Sequence, residues 1–535
     1  MSSLLIKNGM LYDGLGGEGF PADLFIAGDR IKGIGKIDAQ ADEIIDAGGK
    51  AVCPGFVDIH RHCDAKFLQN GDFGDTELAQ GITTVVAGNC GMSLTPSPKD
   101  AAGAKEMYDF MEPVLGSGAR ALALSSYPGY LDRLDRASLP FNTASMIGTG
   151  SVRITVKGFS DTPFVPDELK TAERLVEEAL EAGAAGVSTG IMYLPECYGT
   201  VGEYVGMLKP AGRMNRVVAS HIRGEGDSLV SSVNEILAIG AGAGCPVEIS
   251  HFKACGIDNW RRSIHEAINL IEKARSEGQD VTCDFYPYEG GSTALTTMLP
   301  PTFLAGSLTA ALKRLGTQEG VEAFRRASRR SYTDWDNYGV TLGWDRILIS
   351  SVFRERNRKF LGLTVAEASR RFGFEDAEAC AAYLMHDEEG KTAIINFSMC
   401  QDDIDAVARL PYSIIISDAI YADTDTPHPR MYGAFPQIIR EYVNERGVLS
   451  LGKAIRKMTA LPAKRMKLKD RGVLAVGAYA DVIMFDPERF RDNATFTDPA
   501  RLSEGLSLSV INGRVVWRDG RREARGAGRN LRIFP

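Results

Sequence analysis

The stretch Ala51-Val52-Cys53-Pro54-Gly55-Phe56-Val57-Asp58-Ile59-His60-Arg61-His62 is apolar for most of its length and closes on two imidazoles two positions apart. Side chains on a strand alternate faces, so residues i and i+2 point the same way. Two histidines on one face at the end of a buried strand can grip a single metal ion. The same grammar recurs along the chain. Of its seven histidines, His221 closes Arg-Val-Val-Ala-Ser-His and His251, 30 residues later, closes Pro-Val-Glu-Ile-Ser-His. Cys90, in Gly-Ile-Thr-Thr-Val-Val-Ala-Gly-Asn-Cys-Gly, follows His60 by another 30 residues, and Asp418 ends Tyr-Ser-Ile-Ile-Ile-Ser-Asp. About 30 residues is the length of one strand-helix unit. Metal-capable side chains at strand ends with that period predict an α/β chain folded as a distorted (β/α)8 TIM-type barrel, whose C-terminal rim would gather them.

Eight candidate barrel strands end near His60, Gly88, Gly148, Thr189, His221, His251, Tyr286 and Asp418. Helical periodicity is clearest over Asp167 to Leu180, where apolar and acidic residues alternate at 3–4 spacing before Gly183. The last two strands are separated by far more chain than a helix and its loops require, so residues 295–405 are expected to form an inserted subdomain or lid. Both ends of the chain read differently, as short alternating strands between Gly, Asp and Asn turns. Segments 1–54 and 466–535 are therefore expected to build one small β-sandwich beside a barrel spanning 55–465.

Composition narrows the function classes. With 24% charged and 44% hydrophobic residues and a net charge of −8, the 535-residue chain reads as an ordinary mildly acidic globular protein. The acidic excess argues against a nucleic-acid partner. No apolar run approaches the roughly 20 residues that span a bilayer, and the first residues lack a signal-peptide pattern, which together predict a cytoplasmic protein without membrane association. Nine cysteines without a repeating framework fit a reducing compartment. Eight read as packing residues; the glycine-flanked Cys90 is placed to present a thiolate.

His60, His62, Cys90, His221 and His251 offer more ligands than one tetrahedral ion needs, so either two metals share a thiolate bridge or one site is filled and another is weak. Imidazole and thiolate favour zinc. Zinc polarises a carbonyl and makes water nucleophilic near neutral pH, and Asp418 would accept the water's proton and return it to a departing nitrogen. The implied chemistry is metal-assisted hydrolysis of a C–N bond.

The segments Pro-Gly-Phe-Val-Asp-Ile-His-Arg-His-Cys-Asp, Gln-Gly-Ile-Thr-Thr-Val-Val-Ala-Gly-Asn-Cys-Gly, Ser-His-Ile-Arg-Gly-Glu-Gly, Ile-Ser-His-Phe-Lys, Asp-Phe-Tyr-Pro-Tyr-Glu-Gly-Gly-Ser-Thr and His-Pro-Arg-Met-Tyr-Gly-Ala-Phe-Pro, in that order, resemble the amidohydrolase superfamily. More narrowly they resemble its N-acyl-D-amino-acid deacylase, or D-aminoacylase, branch, over essentially the full chain. The resemblance implies that Cys90 replaces the carboxylated lysine that bridges two metals in hydantoinases and dihydroorotases. It implies a tightly held zinc on Cys90, His221 and His251, a weaker second site on His60 and His62, and Asp418 as catalytic acid/base. Lys253, Tyr193, Tyr286 and Arg430 would hold the α-carboxylate of a small N-acyl amino acid substrate, with Ser292 nearby. The chain departs from the branch at Cys63, where Asp is usual, and at Gly224, which replaces an acidic residue; members acting on acidic D-amino acids carry an arginine soon after Gly-Ser-Thr, and Ala294 to Leu299 contains none. The resemblance thus implies a neutral or hydrophobic side-chain preference. A cyclic amidase of hydantoinase or dihydroorotase type, or another amidohydrolase acting on a different amide, is the alternative enzyme, and a non-catalytic scaffold would be expected to have lost ligands that this chain keeps.

Overall fold

A computed structural model describes residues 3–69, 73–304, 307–332, 335–424 and 426–534. Eight parallel strands form the barrel. Strand β1 (Phe56–Asp58) pairs with β2 (Ile82–Ala87), and β2 with the first half of β3 (Asn142–Ser145). After a break at Met146, the second half of β3 (Ile147–Gly148) pairs with β4 (Gly186–Gly190), followed in order by β5 (Val217–His221), β6 (Val247–Ile249), β7 (Val281–Phe285) and β8 (Ser413–Ile415). The ring closes where the Asp418 amide donates to the His60 carbonyl at 2.9 Å and the His62 amide to the Ala419 carbonyl at 2.9 Å. The break in β3 and this loop-mediated closure are what distort the barrel. Its strands are buried end to end, as expected for parallel strands covered on both faces.

The helix expected from Asp167 onward spans Pro166–Glu181, with Pro at its first turn and the Glu168 carboxylate accepting from the Val165 amide at 2.9 Å. Its buried positions are Ala172, Val176, Ala179 and Leu180, the narrow apolar stripe that faces the barrel. Burying the Val and Leu side chains contributes roughly 1.5–3 kcal/mol each. Gly183, at φ +107°, then turns the chain toward β4.

Both termini contribute to one continuous nine-stranded sheet, which is the form the expected sandwich takes. The N-terminal and C-terminal parts join where Ala51–Pro54 pairs antiparallel with Val482–Phe485. Leu4, Ile6, Leu24, Ile26, Val482 and Val510 lie in an apolar core of its own. Because Ala51–Pro54 leads directly into β1, this sheet is anchored to the strand that carries His60 and His62. Between β7 and β8 the chain forms a small antiparallel sheet, with Ala393–Asn396 between Gly291–Ala294 and Ile347–Ser351, together with helices such as Gln318–Ser328 and Ala377–Asp387. Ser292 and Asn396 of that sheet line the cleft at the barrel mouth. Among the described residues, no helix is long and apolar enough to cross a membrane.

Candidate active site

The strand ends converge at the C-terminal rim. His60 Nε2 lies 3.2 Å from Cys90 Sγ, which in turn lies 3.8 Å from His221 Nδ1 and 3.6 Å from His251 Nε2. Asp418 Oδ1 faces His60 Nε2 at 3.4 Å and His62 Nε2 at 3.5 Å. Potential ligand atoms gather in three buried triads, His60/His62/Cys90, Cys90/His221/His251 and His60/His251/Asp418, each with its atoms within 4.8 Å of one another. Cys90 thus stands between two histidine pairs, and all six expected side chains share one site.

Local backbone conformation aims these groups. Cys90, His251 and Asp418 have φ of 54°, 36° and 49°, left-handed values that cost L-residues roughly 1–2 kcal/mol each. Each follows its strand by two or three residues, so the turn swings the side chain back over the rim instead of leaving it on the strand's alternation. Surrounding hydrogen bonds hold the turns: Gly91 N donates to Ser188 Oγ at 3.0 Å, and the His251 amide donates to the Asp284 carboxylate.

The electrostatics call for a cation. Burial keeps the imidazoles neutral, pushing His60 down to about 4 and His62, His221 and His251 down as well, so their lone pairs are free to ligate. Burial also pushes the Cys90 thiol well above its usual value, and a thiol in this setting ionises on a metal. Burial opposes ionisation of Asp418, but the Arg430 guanidinium beside it outweighs that effect and holds the carboxyl well below its usual range. Neutral imidazoles, a thiol and a carboxylate converging on one point are the donor set of a divalent metal of zinc type.

Of the expected substrate-binding residues, Tyr193, Lys253, Tyr286 and Ser292 line the same cleft, and Arg430 is fully buried against Asp418. Arg430 Nη1 ion-pairs with Asp418 Oδ2 at 2.8 Å; among the described residues its buried Nε finds no hydrogen-bond acceptor and the buried Tyr286 hydroxyl no hydrogen-bond partner. The guanidinium lies over the Tyr286 ring, 4.6 Å from its centroid. Tyr193 packs its ring 4.6 Å from that of His221. Ser292 lines the cleft, and its carbonyl lies 3.5 Å from Arg430 Nη2. Lys253 is wired differently from the strand-face expectation. Strand β6 ends at Ile249, and after the turn at His251 the Lys253 ammonium folds back onto Glu225 Oε1 at 2.5 Å and His251 Nδ1 at 2.7 Å. Burial works against its charge, but the Glu225 carboxylate outweighs that effect and raises its pKa.

Several supporting residues escaped the sequence reading. Glu225 Oε1 reaches His251 Nδ1 at 2.9 Å, fixing the ring's orientation as carboxylates beside metal-binding histidines do. It lies in the quoted segment Ser-His-Ile-Arg-Gly-Glu-Gly, which was read for His221 and not for its acid. Asp284, a lone acid within the apolar run Val-Thr-Cys-Asp-Phe, was the more visible signal; its Oδ2 lies 3.8 Å from His60 Nδ1, and burial raises its pKa strongly. Gly224 now has a reason. A Cβ there would meet Ser228 Oγ at 1.8 Å and Asp336 Oδ2 at 2.7 Å, and the Asp336 carboxylate, from the segment between β7 and β8, accepts from the Glu225 and Gly226 amides at 2.5 and 2.7 Å. Cys63 packs into the apolar core.

An α/β barrel whose rim gathers four imidazoles, a thiol and a carboxylate is the architecture of a metal-dependent hydrolase. The model of the amidohydrolase family matches residues 43–273 and 363–517. The N-acyl-D-glutamate deacylase of Alcaligenes xylosoxydans xylosoxydans is 34% identical over 516 residues, 96% of this chain and 93% of that protein, and the D-aminoacylase of the same organism is 32% identical over 99% of this chain and 97% of its own. The crystal structure of the N-acyl-D-glutamate deacylase from Bordetella bronchiseptica, complexed with zinc and a phosphonate mimic of the tetrahedral intermediate, superposes with a TM-score of 0.83 at 31% identity over 99% of both chains. The chain belongs to the amidohydrolase family, in its N-acyl-D-amino-acid deacylase (D-aminoacylase) branch.

Proposed function

We propose that the protein is a zinc-dependent deacylase that hydrolyses the amide bond of N-acyl-D-amino acids to a carboxylate and a free D-amino acid. The observation that carries this reading is Cys90 Sγ standing between the His60 and His221/His251 imidazoles while Asp418 faces the His60/His62 side of the same cluster. Cys90, His221 and His251 would hold the tight zinc, with His60 and His62 as a weaker second site. Bound zinc supplies Lewis acidity toward the amide carbonyl and brings the pKa of water to about 7.

The remaining work falls to the chain. Asp418, held as a carboxylate, takes the proton of the attacking water and returns it to the amine nitrogen as the C–N bond breaks. The Arg430 guanidinium, beyond its pairing with Asp418, and the Tyr286 hydroxyl would give the substrate's α-carboxylate its partners, with Lys253, Tyr193 and Ser292 around it. Glu225 keeps the His251 ring in place. The test is hydrolysis of paired D and L N-acyl amino acids by zinc-loaded enzyme with metal measured on the same sample. Turnover confined to D substrates, abolished by chelation and restored by zinc, is the expected result; turnover of cyclic amides alone would replace this reading with that of a cyclic amidase.

A further inference from the structure

The loop after β5 carries Glu225 between two glycines, and a carboxylate from the inserted segment is seated on it. Asp336 is buried and takes four hydrogen bonds from this loop. Its Oδ2 accepts from the Glu225 and Gly226 amides at 2.5 and 2.7 Å, and its Oδ1 from the Ser228 amide at 3.2 Å and the Ser228 hydroxyl at 2.9 Å. Neighbouring amides turned toward one point form an anion-binding nest. The glycines give the carboxylate its room: a Cβ on Gly224 would meet Asp336 Oδ2 at 2.7 Å, and one on Gly226 would meet Asp336 Cγ at 3.1 Å. On its other side Asp336 is fixed within the insert. Its neighbour Asn337 donates to the Ser328 and Arg330 carbonyls at 2.8 and 2.7 Å, and caps the short helix Tyr338–Thr341 by accepting from the Gly339 amide at 3.0 Å. Tyr338 of that helix lines the active-site cleft.

We propose that Asp336 is a positioning residue for both metal and substrate, acting through Glu225. The Glu225 side chain reaches both sides of the site: its Oε1 lies 2.9 Å from His251 Nδ1 and 2.5 Å from Lys253 Nζ. A carboxylate on the outer nitrogen of a metal-binding histidine keeps the ring aimed, and losing such a partner weakens metal binding roughly 10–100-fold. What Asp336 holds is the backbone from which that carboxylate springs, so the insert sets where Glu225 stands. With it go the aim of His251 at the zinc site and of Lys253 at the substrate's α-carboxylate. The loop has other ties, the Gly224 amide donating to Ser232 Oγ at 3.0 Å and the Glu225 carbonyl accepting from the Cys255 amide at 2.7 Å. Neither offers an acceptor to the amides of residues 225, 226 and 228, which would be left buried and unpaired without the Asp336 carboxylate. The substrate half of this role rests on the deacylase reading; the metal half needs only the ligand cluster.

The experiment is made on Asp336→Asn, which keeps the side chain's size but sets an NH2 group against the loop's donors. Zinc affinity is measured by competition with a chelator, and kcat and KM on N-acetyl-D-amino acids at saturating zinc, with a denaturant midpoint alongside. Zinc binding is expected to weaken roughly tenfold and KM to rise about fivefold or more, while kcat stays within about threefold because Asp418 is held by His60, His62 and Arg430. Glu225→Gln should show the same pattern. Adding Asp336→Asn to it should then change zinc affinity and KM by less than about twofold, since both substitutions act on one route. Should Asp336→Asn fold poorly, amide hydrogen exchange of the unaltered chain reads the same coupling: zinc loading should raise protection in residues 335–341 together with residues 224–228, because coupling is reciprocal. Unchanged zinc affinity and KM, a loss confined to the denaturant midpoint, effects of the two substitutions that multiply in full, or zinc-induced protection that leaves residues 335–341 untouched each overturn the positioning role. Absence of turnover on every N-acyl-D-amino acid overturns the deacylase reading instead, and the zinc measurements, which use no substrate, still decide Asp336.

Discussion

Asp418 is asked to do two things with one carboxylate: it faces His60 and His62 through Oδ1 and Arg430 through Oδ2. Its replacement by Asn keeps the shape and the Oδ1 acceptor but removes the proton acceptor. Asp418→Asn should therefore retain bound zinc and fold while kcat falls roughly 10²–10⁴-fold, the range for losing a general base; unchanged turnover at full zinc occupancy would remove Asp418 from the proton path. Glu196 poses a different test. Its carboxyl is buried behind β4, accepting from the Gly190 amide at 2.8 Å and the Thr149 hydroxyl, and burial pushes its pKa up to about 7. The folded chain thus holds this proton to about pH 7, while the unfolded chain releases it near the ordinary value of 4.5. The stability linked to this group is full below about pH 4.5, is lost as pH rises to about 7, and is level above that. Glu196→Gln removes the titration, so its stability relative to the parent should improve between pH 4.5 and 7 by up to roughly 3 kcal/mol. Denaturant midpoints at pH 4.5 and 8 check it, and parallel pH profiles would rule the linkage out.

At the scale of elements, what the sequence exposed and what it hid follow from how far each interaction reaches along the chain. Strand ends were legible because an apolar run that stops on His, Cys or Asp is a local pattern: His221 closes β5, and His60 and His251 follow β1 and β6 by two residues. The helix Pro166–Glu181 was legible from its apolar stripe, acidic first turn and terminal glycine. Hidden were the features set by partners far off in sequence. The pairing of Lys253 with Glu225 spans 28 residues, and the hold of Asp336 on the loop after β5 spans more than a hundred, so no local pattern could announce them. Arg61 is the extreme case. Lying between two expected ligands, it is fully buried and ties three elements together. Its guanidinium pairs with Glu77 Oε1 at 2.9 Å in the short helix Asp75–Leu78, donates to Ser417 Oγ at 3.0 Å and Tyr421 Oη at 2.8 Å beyond β8, and donates to the Met431 carbonyl at 3.1 Å in helix Arg430–Gln437. Arg61→Met would strand in the interior both Glu77 and Asp58, whose Oδ2 lies 3.5 Å from Arg61 Nη1, with an expected loss of roughly 3–5 kcal/mol. The double change Arg61→Met with Glu77→Met should recover part of that loss, because the desolvation cost leaves with the pair. Equal stability of the single and parent chains in urea would show that the network does not bear on folding.

Across the whole molecule, the terminal sheet and the barrel are joined at a polar node on the side of the barrel opposite the ligand cluster's rim. Asp481, just before the strand Val482–Phe485, pairs with the Arg471 guanidinium, accepts from Asn142 Nδ2 at 3.1 Å at the start of β3, and accepts from the Asn512 amide at 2.9 Å. Asn142 Oδ1 in turn accepts from Asn512 Nδ2 at 2.8 Å and from the Arg529 amide at 3.1 Å, bringing the C-terminal segment against the first half of β3. Arg471 and Asp481 are both buried, so the cost of separating them is that of an uncompensated interior charge, not of a surface ion pair. Asp481→Ala should accordingly cost roughly 3–5 kcal/mol. Because the node bridges two cores that each bury their own apolar residues, the loss should fall on their coupling. The parent chain is then expected to unfold in denaturant as one transition by tryptophan fluorescence and far-UV circular dichroism, and the variant as two transitions that no longer coincide. Zinc bound in the absence of denaturant should be unchanged, since none of these residues touches the ligand cluster. A single coincident transition at an unshifted midpoint would mean that the contacts through Ala51–Pro54 into β1 suffice to make sheet and barrel one folding unit.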